Sequence, residues 1–146
     1  MNRKEVIESR INAFPQTCRN AGLKVTPQRM AIFAMLASTE SHPSPEEVYY
    51  SIQEQTPSIS LATVYKILDL FMMQGFIRKI STRDQVTRYD ANVNPHHHII
   101  CDQCGTIEDV MPDEMALENV NLPNNRGFEI SSVELQIHGI CSTCRN

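Results

Sequence analysis

Five cysteines lie in this chain of 146 residues, and four of them form two CxxC pairs, Cys101/Cys104 and Cys141/Cys144. That spacing lets two thiolates from one tight turn reach the same ion at about 2.3 Å. Gly105, directly after the first pair, permits the sharp backbone of a zinc knuckle. Thirty-six residues separate the pairs, more than a usual zinc-ribbon loop, so the intervening strands must bring them together. Four thiolates make a tetrahedral site that suits Zn²⁺ and is closed to substrate. A redox role is the rival reading of a single CxxC. Two pairs, in a segment with few large apolar residues, favour structural zinc. Cys18 is left over on a predicted helix and reads as a small buried side chain.

The first pair is embedded in "NPHHHIICDQCGTIEDV", from Asn94 to Val110. His96 and His98 are two apart in a predicted strand, so they share a face while His97 points to the other. Asp109 lies in the next predicted strand, close enough to join them if the knuckle turns the chain back. The stretch therefore holds pieces of two sites, with cysteines in one and alternate histidines in the other. Nitrogen and oxygen ligands without thiolate suit Fe²⁺ or Mn²⁺ as well as Zn²⁺. Such sites also catalyse hydrolysis or oxygen chemistry when a coordination position is open, so an enzyme is the competing class.

The elements that must position these residues fall into two groups. "KEVIESRINAF" carries apolar residues at helical spacing at Val6, Ile7, Ile11 and Phe14. "TPQRMAIFAMLAS" opens with Thr26 as N-cap and Pro27 at the first helical position, and "SPEEVYYSIQEQ" repeats the device with Ser44 and Pro45. "SISLATVYKILDLFMMQGF" gives a fourth helix, capped by Ser60 and stopped near Gly75. "FIRKIST" and "VTRYDANV" then make a hairpin. Helices followed by a hairpin is the order of a winged helix-turn-helix, with a generic small α+β domain as the alternative. "ANVNP" reads as a hinge. Beyond it "HHHIIC", "TIEDVM", a possible helix "PDEMALENV" and the strand "FEISSVELQIHGIC" make a small α/β module. The expected organisation is α+β, with a DNA-binding domain at 1–90, a hinge at 91–95 and a metal-binding module at 96–146.

Charge divides along the same line. The net charge is −4, but residues 1–90 carry +2 and residues 91–146 carry −6, a contrast that suggests two modules with different partners. An apolar fraction of 41% points to a folded protein rather than a disordered one. No run approaches a membrane span and "MNRKEVIESR" lacks a signal-peptide core, so a cytoplasmic protein without membrane contact is expected.

Six motifs together, "LKVTPQR", "HPSPEEVY", "SLATVYKILDLF", "TRYD", "HHHIICDQCG" and "CSTC", resemble the ferric uptake regulator (Fur) family of metal-dependent repressors over nearly the whole chain. The resemblance implies a homodimer in which a winged-helix domain, binding a palindromic operator in double-stranded DNA, joins a dimerisation domain with a structural Cys₄ zinc. It is strongest to the family's peroxide-responsive branch. There the regulatory Fe²⁺ or Mn²⁺ ligands fall on His42, Asp90, His96, His98 and Asp109 of this sequence. Aspartate rather than glutamate at 90 and 109 is the main ground for that branch. An iron- or manganese-responsive repressor without peroxide sensing is the alternative.

The resemblance further implies that peroxide meeting Fe²⁺ oxidises His42 or His96, which is sensing without turnover and hence no enzyme. A metal held by both halves fixes the angle between two recognition helices, whose spacing must match the DNA repeat. The recognition helix is expected at 60–74, with Ser60, Thr63, Tyr65 and Lys66 near the DNA. Tyr65 has core packing as its alternative, and Arg29 and Arg88 are phosphate contacts by charge alone. A further family metal site would need a histidine in "ISSVELQIHG", where serines and valine stand. His138 is too near Cys141 and His97 lacks partners, so no functional third metal is expected.

Overall fold

The computed structural model of the chain describes residues 2–115 and 126–146. The chain forms two compact units, Met1–Val93 and Asn94–Asn146. In the first, four helices precede a two-stranded hairpin: α1 (Arg3–Asn20), α2 (Pro27–Ser38), α3 (Pro45–Ile52), α4 (Leu61–Met73), β1 (Arg78–Ser81) and β2 (Thr87–Asp90). Each helix start is fixed by a side chain that satisfies an otherwise unpaired N–H. Thr26 accepts from the Arg29 N–H at 3.2 Å, and Ser60 from the Thr63 N–H at 3.1 Å. At α3 the cap is reciprocal: Ser44 accepts from the Glu47 N–H, while Glu47 accepts from the Ser44 N–H at 2.7 Å. Gly75, at φ 73°, ends α4 in the left-handed conformation that a side chain would oppose.

The core of this unit is aromatic at its centre. Phe14 stacks on Phe33 with ring centroids 3.8 Å apart and meets Phe71 and Phe76 edge-on. Ile32, Val48, Val64, Leu68 and Phe71 are fully buried around them. Cys18 is buried in the same cluster, and burial pushes its thiol above the ordinary range. Pro15 lies inside α1. Its missing N–H removes one helical bond, which the packing of Phe14 and Cys18 on either side of it outweighs. The hairpin is antiparallel, pairing Arg78 with Asp90 and Ile80 with Arg88.

The second unit is a three-stranded sheet in the order β4-β3-β5, built from β3 (His97–Cys101), β4 (Ile107–Val110) and β5 (Gln136–Gly139). β3 runs antiparallel to β4 and parallel to β5. A short α5 (Ser142–Arg145) carries the last cysteine. One expectation changes here. The strand expected over "FEISSVELQIHGIC" is regular only at Gln136–Gly139; residues 128–134 carry no ladder, and Phe128, Ile130 and Val133 are exposed. Of the helix expected over "PDEMALENV", Pro112–Glu114 form a 3₁₀ turn and residues 116–120 lie outside the described residues. Among the described residues no helix is long and apolar enough to cross a membrane.

Candidate metal centres and nucleic-acid face

The knuckle after β3 and the turn into α5 bring all four CxxC cysteines together, with one Sγ from each within 4.8 Å of the others. Cys104 Sγ and Cys141 Sγ are 3.8 Å apart. That matches the roughly 3.8 Å edge of a tetrahedron of thiolates at about 2.3 Å from zinc. Gly105 at φ 75° makes the knuckle possible, and its N–H donates to the Cys101 carbonyl at 2.9 Å. The Cys141 N–H donates to Cys101 Sγ at 3.3 Å. Backbone N–H groups of Cys141 and Cys104 pull the Cys101 thiol down to about 6. The Thr106 hydroxyl lowers Cys104 as well. The neighbouring thiols, Cys141 first, push Cys144 up to about 12, because a cluster of sulfurs resists carrying further negative charge. A divalent cation at the centre removes that conflict.

Register places the second set. β3 and β4 align His98 opposite Asp109. His96 sits one residue before β3 rather than within it, yet its ring reaches the same point. His96 Nε2 lies 3.0 Å from His98 Nε2 and 3.3 Å from Asp109 Oδ1, and His98 Nε2 is 3.5 Å from the same oxygen. Both histidines are wholly buried. The other nitrogen of His96 is 2.7 Å from the Asn94 carbonyl. A carbonyl can only accept, so Nδ1 carries the proton and Nε2 offers its lone pair inward. Glu134 Oε1 lies 3.5 Å from His98 Nδ1. Two imidazole lone pairs and a carboxylate aimed at one point make a cation-holding arrangement. Sequence reasoning missed Glu134, since nothing in its surroundings marks a partner for a histidine thirty-six positions earlier.

His42 and Asp90 form their own pair in the first unit, with His42 Nε2 3.6 Å from Asp90 Oδ2 and both residues buried. His42 has φ 51°, a left-handed conformation that costs a non-glycine residue roughly 1–3 kcal/mol and is typical of functional positions. The Tyr89 N–H donates to the Pro43 carbonyl at 3.1 Å, so β2 holds the loop that carries His42. His97 is buried too, but its Nδ1 accepts from the Leu135 N–H at 3.1 Å. His138 pairs with Asp102 at 2.9 Å.

On α4, Val64, Ile67, Leu68 and Phe71 face the core, whereas Leu61 is only half-buried. Tyr65 is 41% exposed, so it is not a core residue. Lys66 beside it is exposed, and Ser60 and Thr63 occupy the N-terminal cap, their hydroxyls 2.9 Å apart. The Tyr65 hydroxyl donates to Glu46 Oε1 at 2.7 Å. The two arginines are more committed than charge alone suggests. Arg29 donates to the Lys24 carbonyl at 2.5 Å. Arg88 is paired with Glu47 at 3.3 Å and lies 4.0 Å from Asp84.

A family model, that of the ferric uptake regulator family, matches residues 20–138. The peroxide-responsive repressor PerR of Staphylococcus aureus (strain Mu50 / ATCC 700699) is 32% identical over 142 residues, covering 97% of this chain and 96% of that protein. Among solved structures, the Helicobacter pylori ferric uptake regulator Fur, described as having three functional metal-binding sites, superposes with a TM-score of 0.81 at 27% identity. The match covers 100% of this chain and 98% of that one. The Campylobacter jejuni peroxide stress regulator gives a TM-score of 0.71 at 28% identity over 97% of each chain.

Proposed function

The chain belongs to the ferric uptake regulator family of metal-responsive transcription regulators, and we propose that it is a repressor that binds a palindromic operator as a homodimer and senses peroxide by oxidation of its own histidine ligands. The observation that carries this reading is the convergence of His96, His98 and Asp109 on one point without a thiolate. With His42 and Asp90 they supply three nitrogens and two oxygens for Fe²⁺ or Mn²⁺, while the four cysteines hold Zn²⁺.

Each group of residues has a distinct task. The cysteine cluster stabilises a sheet whose described apolar core is small. The Asn94 carbonyl holds the His96 imidazole in the tautomer that binds metal, and the Glu134 carboxylate sits beside His98. His42 and Asp90 tie the regulatory ion to the helix-and-hairpin unit, and His96, His98 and Asp109 tie it to the sheet unit. Metal occupancy and operator affinity are then linked through one conformational equilibrium. The exposed Phe128, Ile130 and Val133 support a dimer through the sheet unit.

When bound, iron(II) would relay electrons from the imidazole to peroxide and so allow its O–O bond to break, which manganese(II) would not readily do. The outcome for the chain is one oxygen inserted at an imidazole C–H of His42 or His96, with the second peroxide oxygen leaving as water. An oxidised imidazole is a poorer ligand, so the ion and the operator are released. The aspartates at 90 and 109 and the similarity to PerR of S. aureus support peroxide as the signal. The similarity to H. pylori Fur favours the second reading, an iron- or manganese-responsive repressor without peroxide sensing.

Operator binding by fluorescence anisotropy, with Mn²⁺ or Fe²⁺ titrated into zinc-loaded protein, tests the metal dependence. Either metal should raise affinity for a palindromic duplex. Affinity indifferent to both metals would remove the regulatory site from the account.

A further inference from the structure

We propose that Glu46 positions Tyr65 for reading bases, so that α3 and α4 present one composite face to DNA. The inference rests on α4 being the recognition helix. Glu46 stands in the first turn of α3, and the Tyr65 hydroxyl donates to its Oε1 at 2.7 Å. The tether is not a local one, since nineteen positions separate the two residues.

Two features make this more than an incidental surface contact. The first is the rigidity of the anchoring point. The start of α3 is fixed by the Ser44–Glu47 reciprocal cap and again by Arg88 from β2. Glu46 therefore projects from a braced helix end, and its carboxylate can hold a phenol at a defined place. A tyrosine held by its tip has both side-chain torsions set before DNA arrives, so little ordering entropy is lost at the encounter. The second is the sign of the charge. An exposed carboxylate on a face meant for phosphate weakens binding to any duplex. Glu46 is exposed and ionised, its carboxyl held below the usual range chiefly by the Tyr65 hydroxyl. The same bond raises the Tyr65 phenol, which stays a neutral donor. A residue that lowers general affinity yet orients an exposed aromatic trades non-specific binding for selectivity.

The helix that carries Glu46 begins three residues after His42. A ligand of the proposed regulatory ion thus lies in the loop that leads directly into the helix bearing the tether on the reading tyrosine.

The test uses full-length, Mn-loaded protein at fixed salt, with one palindromic operator duplex and one scrambled duplex. Glu46→Ala should weaken operator binding about tenfold, the scale of one charge-assisted hydrogen bond, while tightening binding to the scrambled duplex a few-fold through loss of a negative charge. Glu46→Gln keeps an accepting carbonyl, so it should recover most of the operator affinity while showing the same tightening on scrambled DNA. The phenol of Tyr65, followed by NMR of its ring, should titrate at lower pH in Glu46→Ala than in wild type. If Glu46→Ala tightens both duplexes equally, the carboxylate only repels phosphate and the inference is overturned. If Glu46→Ala tightens the operator alone, the bond masks Tyr65, and the inference is again wrong. Tyr65→Ala binding the operator as tightly as wild type would overturn the recognition-helix reading itself, a result distinguishable from either outcome at Glu46.

Discussion

Replacing Cys141 with serine should unfold the sheet unit and leave the helical unit standing. The substitution exchanges one of four thiolates for a hydroxyl that stays protonated at neutral pH, and it removes the Sγ that lies 3.8 Å from Cys104 Sγ. The magnitude follows from what else holds the unit together. Among its described residues the buried apolar side chains are Ile100, Cys101 and Ile107. Burying the two isoleucines contributes roughly 1.5–3 kcal/mol each, whereas a structural zinc supplies roughly 10–16 kcal/mol at neutral pH. The metal outweighs the apolar burial, so its loss cannot be absorbed by the remaining core. The helical unit has its own cluster around Phe14, Ile32, Leu68 and Phe71 and contains none of the four CxxC cysteines. Hydrogen exchange read by mass spectrometry separates the two. Peptides from 94–146 should lose protection while those from 1–93 keep it, and size-exclusion chromatography should show loss of the dimer. A zinc-free Cys141→Ser protein with undiminished protection in 94–146 and an unchanged thermal midpoint would refute the reasoning.

Asp109→Ala should weaken the regulatory metal by more than the roughly 10–100-fold that loss of an outer-shell partner costs, without releasing zinc, measured by competition with a chromophoric chelator, because it leaves His96 and His98 without their carboxylate. Tyr65→Ala should reduce operator affinity by about 1–3 kcal/mol and leave both metals bound by elemental analysis. Asp90→Glu adds a methylene to one ligand, and in the Fe-loaded protein it should yield a repressor still responsive to iron but blunted to peroxide, seen by comparing operator release with wild type. Phe14→Ala opens a cavity in a stacked aromatic cluster and should lower the stability of the helical unit by about 3–5 kcal/mol in urea denaturation.

What could be read from the residues alone was whatever depends on short sequence separations. Helix starts at Thr26, Ser44 and Ser60 were legible because a cap and its N–H partner lie three positions apart. The pairing of His96 and His98 with Asp109 was legible because a knuckle folds adjacent strands back on each other. Contacts formed across the fold were not. Glu46 with Tyr65 and Glu47 with Arg88 join distant residues whose types are ordinary on any surface. Arg88 was expected at phosphate on charge alone, and its ion pair with Glu47 could not be counted from sequence. The apolar Phe128, Ile130 and Val133 suggest a strand, yet a strand needs a neighbour to accept its ladder, and none forms at 128–134 among the described residues of this chain. Glu134 was hidden for the same reason, since its role depends on the turn that leads into β5.

The central claim is that peroxide is read through the chain's own histidines. Its most direct test loads zinc-containing protein with Fe²⁺ or with Mn²⁺, adds a low dose of hydrogen peroxide, and follows peptide masses and operator binding on the same samples. The Fe-loaded protein should gain one oxygen on the peptide carrying His42 or the one carrying His96 and should release the operator. The Mn-loaded protein should stay unmodified and bound. An Fe-loaded protein that keeps both peptides unmodified and remains on the operator would contradict the account and leave the iron- or manganese-responsive repressor in its place.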